Sequence, residues 1–293
     1  MDVRRAAGAK LLHAEYFPPP PAPRGPSWWM ARLAADRREL LPFWPVIQNM
    51  VVQELRVRYQ RSILGFLWTL LNPLLMLGTL SIVFSHLFGR GEVANYPLFL
   101  MAGMLPWNFF SSGLTEGAMC IIANEGLIRK IYLPKLVFPL ARVLSGLVMF
   151  TFSMAAMFLL LWPLGARPSL SMLFLPVILA LFTVFTFGLS LIVATANTFY
   201  RDCGHLISVF LQAWYFVTPI IYPVDSKLFP EGAQWLFRFN PAYYFIELFH
   251  DVFCSAGWPR FRLMAAAAVI AATSLGVGYA IFKSQEDKMV FRL

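Results

Sequence analysis

A backbone that meets no Asp, Glu, Lys or Arg for twenty residues has few places to fold. This chain contains six such runs: Ser62–Gly89, Val93–Thr115, Val143–Ala166, Pro168–Tyr200, Cys203–Val224 and Leu263–Phe282. A bilayer core about 30 Å thick is crossed by about 20 residues of α-helix rising 1.5 Å each. The runs show no strict alternation, and backbone polar groups inside lipid must bond internally, so helices are expected rather than a barrel. The fold class read from the sequence is therefore an all-α integral membrane protein with six transmembrane helices. Charged residues make up 13% of the chain, against about 25% in soluble domains, too few to cover a water-facing surface. The net charge of +9 is scattered between apolar runs, which argues against a nucleic-acid partner.

Orientation follows from Lys and Arg. Ten of the 24 precede the first run, and seven more fall in loops on the same side, against six in the opposite loops. Both termini are expected in the cytoplasm. Residues 1–26 hold a run of prolines (Pro18 to Pro21, Pro23, Pro26) and no apolar core, so they read as an extended cytoplasmic tail rather than a signal peptide. Residues 27–61 interleave Trp28, Trp29, Trp44 and Leu55 with Arg32, Arg37, Arg56 and Arg58, the pattern of amphipathic helices lying on a leaflet, divided at Pro42 and Pro45. Anionic lipid or a docked partner would explain these basic residues equally well. The six-span membrane region is then 62–293. The cysteines Cys120, Cys203 and Cys254 have neither a common side nor a metal-ligand spacing.

The connection between the fifth and sixth runs is too apolar for an ordinary loop. Two pieces of 10–14 residues flank Asn240-Pro241, which predicts a helical hairpin over about 225–258 that enters the membrane and returns. Glu247, His250 and Asp251 share one face of its second half, a wet polar face in preference to a metal site because no second Glu-x-x-His occurs. Glu116 and Arg142 sit within spans joined by a short loop and at similar depth, which predicts an ion pair between them. Gly113 and Gly117 offer a small-residue face for close helix contact. Asn124 to Pro134 reads as one short helix capped by Asn124 and stopped by Pro134. Its Leu127, Ile128 and Ile131 lie beside Arg129 and Lys130. An interfacial helix and a knob that fits a partner both suit that pattern. In the second loop, Asp202 is placed to cap the next helix. No G-x-x-x-x-G-K-[ST] is present, so no nucleotide site of that kind is expected on this chain.

Several segments together resemble the permease subunits of type-2 ABC exporters, in the branch that moves O-antigen, capsule and teichoic-acid polysaccharides. They are Val57 to Trp68 with Leu71-Asn72-Pro73-Leu74, Asn124 to Pro134, Phe199-Tyr200-Arg201-Asp202, Thr218 to Pro223, and Asn240-Pro241 with Ile246-Glu247-Leu248-Phe249. The resemblance spans roughly residues 46–293. It implies a homodimer in the bacterial cytoplasmic (inner) membrane, bound to two copies of a separate P-loop ATPase. ATP and Mg would sit on that partner, with no cofactor or catalytic residue on this chain. Lipid-linked glycan would pass between the subunits, and membrane lipids would surround them.

By the same resemblance, residues 124–133 match a coupling helix and 46–61 an interface helix. This makes Asn124, Glu125, Leu127, Ile128, Arg129, Lys130, Tyr132, Arg201, Asp202, Arg56 and Arg58 the expected ATPase-coupling residues. A sugar's C–H face packs well on an aromatic ring, so Trp107, Phe109, Phe110, Trp214, Tyr215, Tyr222, Tyr243 and Tyr244 are candidates to line the channel. Only some can do so, because neighbours on a helix point about 100° apart. A permease for lipids or drugs would use the same helices. A membrane-embedded transferase or a secondary transporter is a more distant alternative.

Overall fold

The computed structural model describes residues 39–60, 96–161, 169–224, 234–254 and 258–292, with a few positions between 65 and 79. Internal contacts divide the chain into Met1–Pro42 and Phe43–Leu293, and the fold below is that of the second unit. The proline-rich tail over 1–26, the stretch 27–38 and nearly all of the first expected span lie outside the described residues.

The described residues form helices and no strand. In chain order these are α1 (Trp44–Tyr59), α2 (Tyr96–Ala123), α3 (Glu125–Ile128), α4 (Val137–Leu161), α5 (Leu175–Phe199), α6 (Cys203–Val217), α7 (Gln234–Phe239), α8 (Pro241–Cys254) and α9 (Phe261–Met289). A 3-10 turn, Leu170–Phe174, leads into α5. Pro45 lies in the first turn of α1, where a missing N–H is harmless; it starts that helix rather than dividing it from its neighbour.

Contacts at the helix ends fix the directions. Tyr96, at the start of α2, donates to the Ile221 carbonyl beyond the end of α6. Asn197, near the end of α5, donates to the Ala118 carbonyl near the end of α2. Glu286, near the end of α9, accepts from the backbone N–H of Lys135 just before α4. Helices α2, α4, α5, α6 and α9 thus alternate up and down. One end of the bundle carries the 124–136 connection, and the other carries α7 and the start of α8.

Among the described residues, three helical segments are long and apolar enough to cross a membrane: Val137–Phe158, Leu170–Phe199 and Phe261–Met289. They answer to the third, fourth and sixth expected spans. Helix α2 has 28 residues, about 42 Å of helix, but Pro106, Asn108, Ser111 and Ser112 dilute its hydropathy. Helix α6 stops at Val217 after 15 residues, short of the expected Val224. Pro219 is the cause, since the residue before a proline is pushed out of the α region, and Thr218 is extended.

Small residues let these helices touch backbone to backbone. A Cβ on Gly113 would lie 2.7 Å from the Thr186 methyl, and one on Gly117 would overlap Ser190. The two-glycine face expected on α2 therefore meets α5. On α5's opposite side, Gly188 and Gly278 of α9 leave room for neither a methyl group nor a shift. Ser274 on α9 closes the seam by donating to the Phe185 carbonyl at 3.2 Å.

Candidate functional site

At the loop end, α2 runs into α3 through Asn124. The sequence predicts that this residue caps α3. Its side chain turns back instead, and Nδ2 donates to the Cys120 carbonyl at 2.7 Å. The end of α2 leaves carbonyls without helical partners, and this bond satisfies one of them. Helix α3 then lasts four residues and ends well before Pro134; residues 129–136 continue as turns and irregular backbone. Glu125 pairs with Arg129 at 2.7 Å, the i,i+4 spacing that supports a helix end. Leu127, Ile131 and Tyr132 are exposed large hydrophobic groups, flanked by the exposed Arg129 and Lys130, while Ile128 is half-buried.

The second connection reaches the same end. Arg201 and Asp202 are exposed, and Asp202 makes no side-chain cap on α6. Asn197 takes over that work: its Oδ1 accepts the Gly204 N–H at 2.8 Å while its Nδ2 holds α2. This fully buried amide carries no local signal that would single it out, because both partners lie across a turn or on another helix. Lys283 and Glu286 of α9 pair at 2.7 Å beside Lys135, so the last helix braces the connection between α2 and α4.

The expected Glu116–Arg142 pair is not what the structure forms. Glu116 binds Arg58 at 2.5 Å, and Arg142 binds Glu54. Both partners come from α1, where they lie four residues apart on one face. Arg58, expected at the ATPase surface, pairs with α2 and, like Arg56, is exposed. Sequence reasoning missed Glu54 because it looked for a partner across the nearest hairpin. The i,i+4 spacing of Glu54 and Arg58 was the available signal.

Aromatic rings run through the middle of the bundle. Phe110 stacks on Phe185 at 5.4 Å, and Phe185 on Phe245 at 4.7 Å; Phe109 stacks on Phe150 at 5.3 Å. Trp107, Phe109 and Phe110 are 4%, 4% and 0% exposed. A ring buried inside one subunit cannot line a path between two, so these three expected channel residues are core. The sequence did hold a signal for this: Asn108, Ser111, Ser112, Thr115 and Glu116 mark, at helical spacing, the face of α2 that is not buried. The half-buried Trp214 packs edge-on to Trp107 and Phe110. Tyr215, also half-buried, keeps its hydroxyl without a hydrogen-bond partner among the described residues. The exposed side of α6 is instead Leu206, Val209, Phe210, Phe216 and Val217, a stripe at helical spacing.

At the hairpin end the break falls where the sequence places it. Asn240 caps α8: its Oδ1 accepts from the Ala242 N–H at 3.0 Å, with Pro241 first in the helix. The same amide accepts from Trp214 Nε1 at 2.8 Å and donates to Thr218 Oγ1 at 2.9 Å. One buried side chain thereby ties α6 to the hairpin. Tyr222 and Tyr244 donate to nearby carbonyls, of Phe216 and Arg238, and Tyr243 packs against Tyr244; all three are half-buried.

Glu247 and Asp251 on α8 close around Arg260, the residue that begins α9. Arg260 gives Glu247 one bond at 2.6 Å and Asp251 two at 2.9 Å, and its backbone N–H reaches Asp251 at 3.3 Å. His250 stacks on Phe99 at 4.0 Å, and its Nε2 lies 3.2 Å from the Phe99 carbonyl, fastening α8 to α2. No group of three metal-binding side chains occurs among the described residues. Two carboxylates one turn apart need a cation, and Arg260 is the basic residue that follows them most closely. Burial pushes the Glu247 carboxyl up, but the bonds and charges of His250 and Arg260 outweigh it and hold the group below its ordinary value. Its contribution to stability is thus complete above the unfolded value near 4.5 and disappears as pH falls through the folded one. Arg260→Ala should lower stability by about 1–2 kcal/mol, discounted because the guanidinium is half exposed. Thermal melts from pH 7 to pH 3 should show the acid-side loss shrinking in that variant.

The two ends differ in character, an exposed basic and apolar connection at one and the helix pair α7–α8, tied by Asn240 and Arg260, at the other. Comparison with known proteins supplies the family. The chain is 30% identical over 251 residues, 86% of its length and 96% of the relative's, to the O-antigen export system permease protein RfbA of Myxococcus xanthus. It is 35% identical over 202 residues to the protein of the same name from Klebsiella pneumoniae, covering 69% of this chain and 77% of that one. The polysialic acid transport protein KpsM of Escherichia coli is 24% identical over 251 residues, 83% of this chain and 95% of the relative. The sequence model described as ABC-2 type transporter matches residues 45–254, from the first turn of α1 to the last residue of α8. With that match over most of its length and the likeness to RfbA of Myxococcus xanthus, the chain belongs to the ABC-2 type transporter family.

Proposed function

We propose that this chain is the transmembrane subunit of an ATP-driven exporter of lipid-linked polysaccharide, of O-antigen, capsule or teichoic-acid type, in the bacterial inner membrane. The observation that carries the reading is similarity along almost the whole length of a permease named for O-antigen export. Membership of the family implies an ABC ATPase as partner. Hydrolysis belongs to that subunit, with ATP and Mg bound there, and this chain supplies no catalytic group.

Asn124, Glu125, Leu127, Ile128, Arg129, Lys130, Tyr132, Arg56, Arg201 and Asp202 share the loop end, and we assign that end to the ATPase. The exposed apolar groups among them supply contact area, and Arg129 and Lys130 supply charge. Both termini and this end are then cytoplasmic. Two copies of the chain would meet along the apolar stripe of α6 under two-fold symmetry. Trp214, Tyr215, Tyr222, Tyr243 and Tyr244, none of them fully buried, are the aromatic residues left to meet sugar rings. The α7–α8 hairpin is read as a re-entrant gate, because neither half is long enough to span.

Motion at the loop end can reach the pathway because α2 and α4 leave that connection directly, and α9 is braced against it. A nucleotide-dependent partner shifts such a bundle only if it binds two arrangements differently. The test is reconstitution. The permease and its ATPase in proteoliposomes should move glycolipid across the bilayer with ATP, and not without it. Movement by the permease alone would overturn the reading.

A further inference from the structure

Four charges at the loop end have two ways to neutralise one another. Here they pair across elements, Arg58 of α1 with Glu116 of α2 and Glu54 of α1 with Arg142 of α4. Yet Glu54 precedes Arg58 by four residues, the spacing and order in which an acid and a base pair along one helix. Helices α2 and α4 pack side by side. The same side chains can therefore pair within α1 and within the bundle instead. Neither arrangement strands a charge, which matters because these side chains are only 19% (Glu54) to 41% (Arg58) exposed, and an unpaired buried charge is costly.

We propose that these four residues form an exchangeable latch. Crossed pairing clamps α1 to α2 and α4 in the state described here, and self-pairing releases α1 when the ATPase changes its nucleotide. Elements that must move can be held by contacts that swap rather than break. The two states then stay close in energy, and a partner with modest preference can select between them. The latch rests on the coupling reading given under the proposed function.

Charge swaps separate the two pairings. Glu54→Arg with Arg142→Glu keeps both crossed pairs but sets like charges together in the released state, so it fixes α1 in place. Glu54→Arg with Arg58→Glu does the reverse. Swapping all four residues restores both arrangements. The complex with its ATPase in proteoliposomes should export glycolipid at least about tenfold more slowly with the first double swap, and should regain export with all four.

Nitroxide labels on Val52→Cys and Phe152→Cys, both exposed positions, in a background free of native cysteine, report the clamp by pulsed electron spin resonance. The unswapped protein should change its distance distribution between ADP and a non-hydrolysable ATP analogue, and the first double swap should show one population in both. Wild-type export by that double swap overturns the latch, as does its failure to fold, since both crossed pairs are kept. So does a folded fourfold swap that stays inactive, or an unswapped protein with one unchanging distance. Failure of the unswapped complex to export with ATP would instead count against the proposed function itself.

Discussion

Gly278→Ala should remove most of the correctly folded protein, whereas Gly276→Ala, two residues earlier on the same helix, should be close to silent. A methyl group on Gly278 would overlap the carbonyl oxygen of Gly188, and Gly188 in turn lies against the backbone of Ser274 and Leu275. Nothing in that contact is the end of a flexible side chain, so the relief must come from moving α5 or α9 bodily. Overpacking in a well-packed interior costs about 1–3 kcal/mol, and a rigid backbone contact belongs at the upper limit. Against a typical total stability of about 5–15 kcal/mol, the alanine variant should lose about 3 kcal/mol and the valine variant more. Gly276 has open space where its methyl would go, and alanine favours helix over glycine by up to about 1 kcal/mol. Yield of monodisperse protein in detergent and its thermal midpoint measure both. Equal behaviour of the two alanine variants would mean that α5 and α9 do not meet along this seam.

That seam shows where local pattern ends and tertiary contact begins. Runs without charge announce helices α4, α5 and α9, because the length of an apolar stretch is a property of the stretch alone. The same holds for the hairpin break: Asn240 caps and Pro241 starts a helix whatever surrounds them. Gly113 and Gly117 were legible as a contact face, but their partners Thr186 and Ser190 were not. Partner choice is settled by packing over long separations, which is why Glu116 and Arg142 were matched to one another and not to α1. The aromatic residues of α2 are a different case, because the polar stripe Asn108, Ser111, Ser112, Thr115 and Glu116 marks the face that is not buried, and Trp107, Phe109 and Phe110, which lie off that stripe, are core. Helix α3 was overestimated because Asn124 had two carbonyl and amide partners within reach, and the one behind it won.

Reversing Arg129 and Lys130 to Glu should abolish export while leaving the fold intact. Both residues are exposed, and Arg129 pairs with Glu125 one turn back. An exposed i,i+4 pair contributes only about 0.3–0.5 kcal/mol, so the thermal midpoint should move by little. The effect at a docking surface is of another size. Placing like charges against a complementary partner costs several kcal/mol, and about 3 kcal/mol is already about a hundredfold in affinity. The double reversal should therefore weaken capture of the ATPase about a hundredfold in co-purification. Vesicle export should fall with it, at unchanged melting temperature and unchanged gel-filtration profile. Because surface charges act over about 8–10 Å at physiological salt and less at higher salt, the milder Arg129→Gln with Lys130→Gln should show a defect that is largest at low ionic strength and shrinks as salt rises. Retained capture and retained export in the double reversal would move the ATPase contact away from the α2–α4 connection altogether. The remaining exposed groups at that end, Arg56 on α1 and Arg201 with Asp202 between α5 and α6, would then be the surface to test.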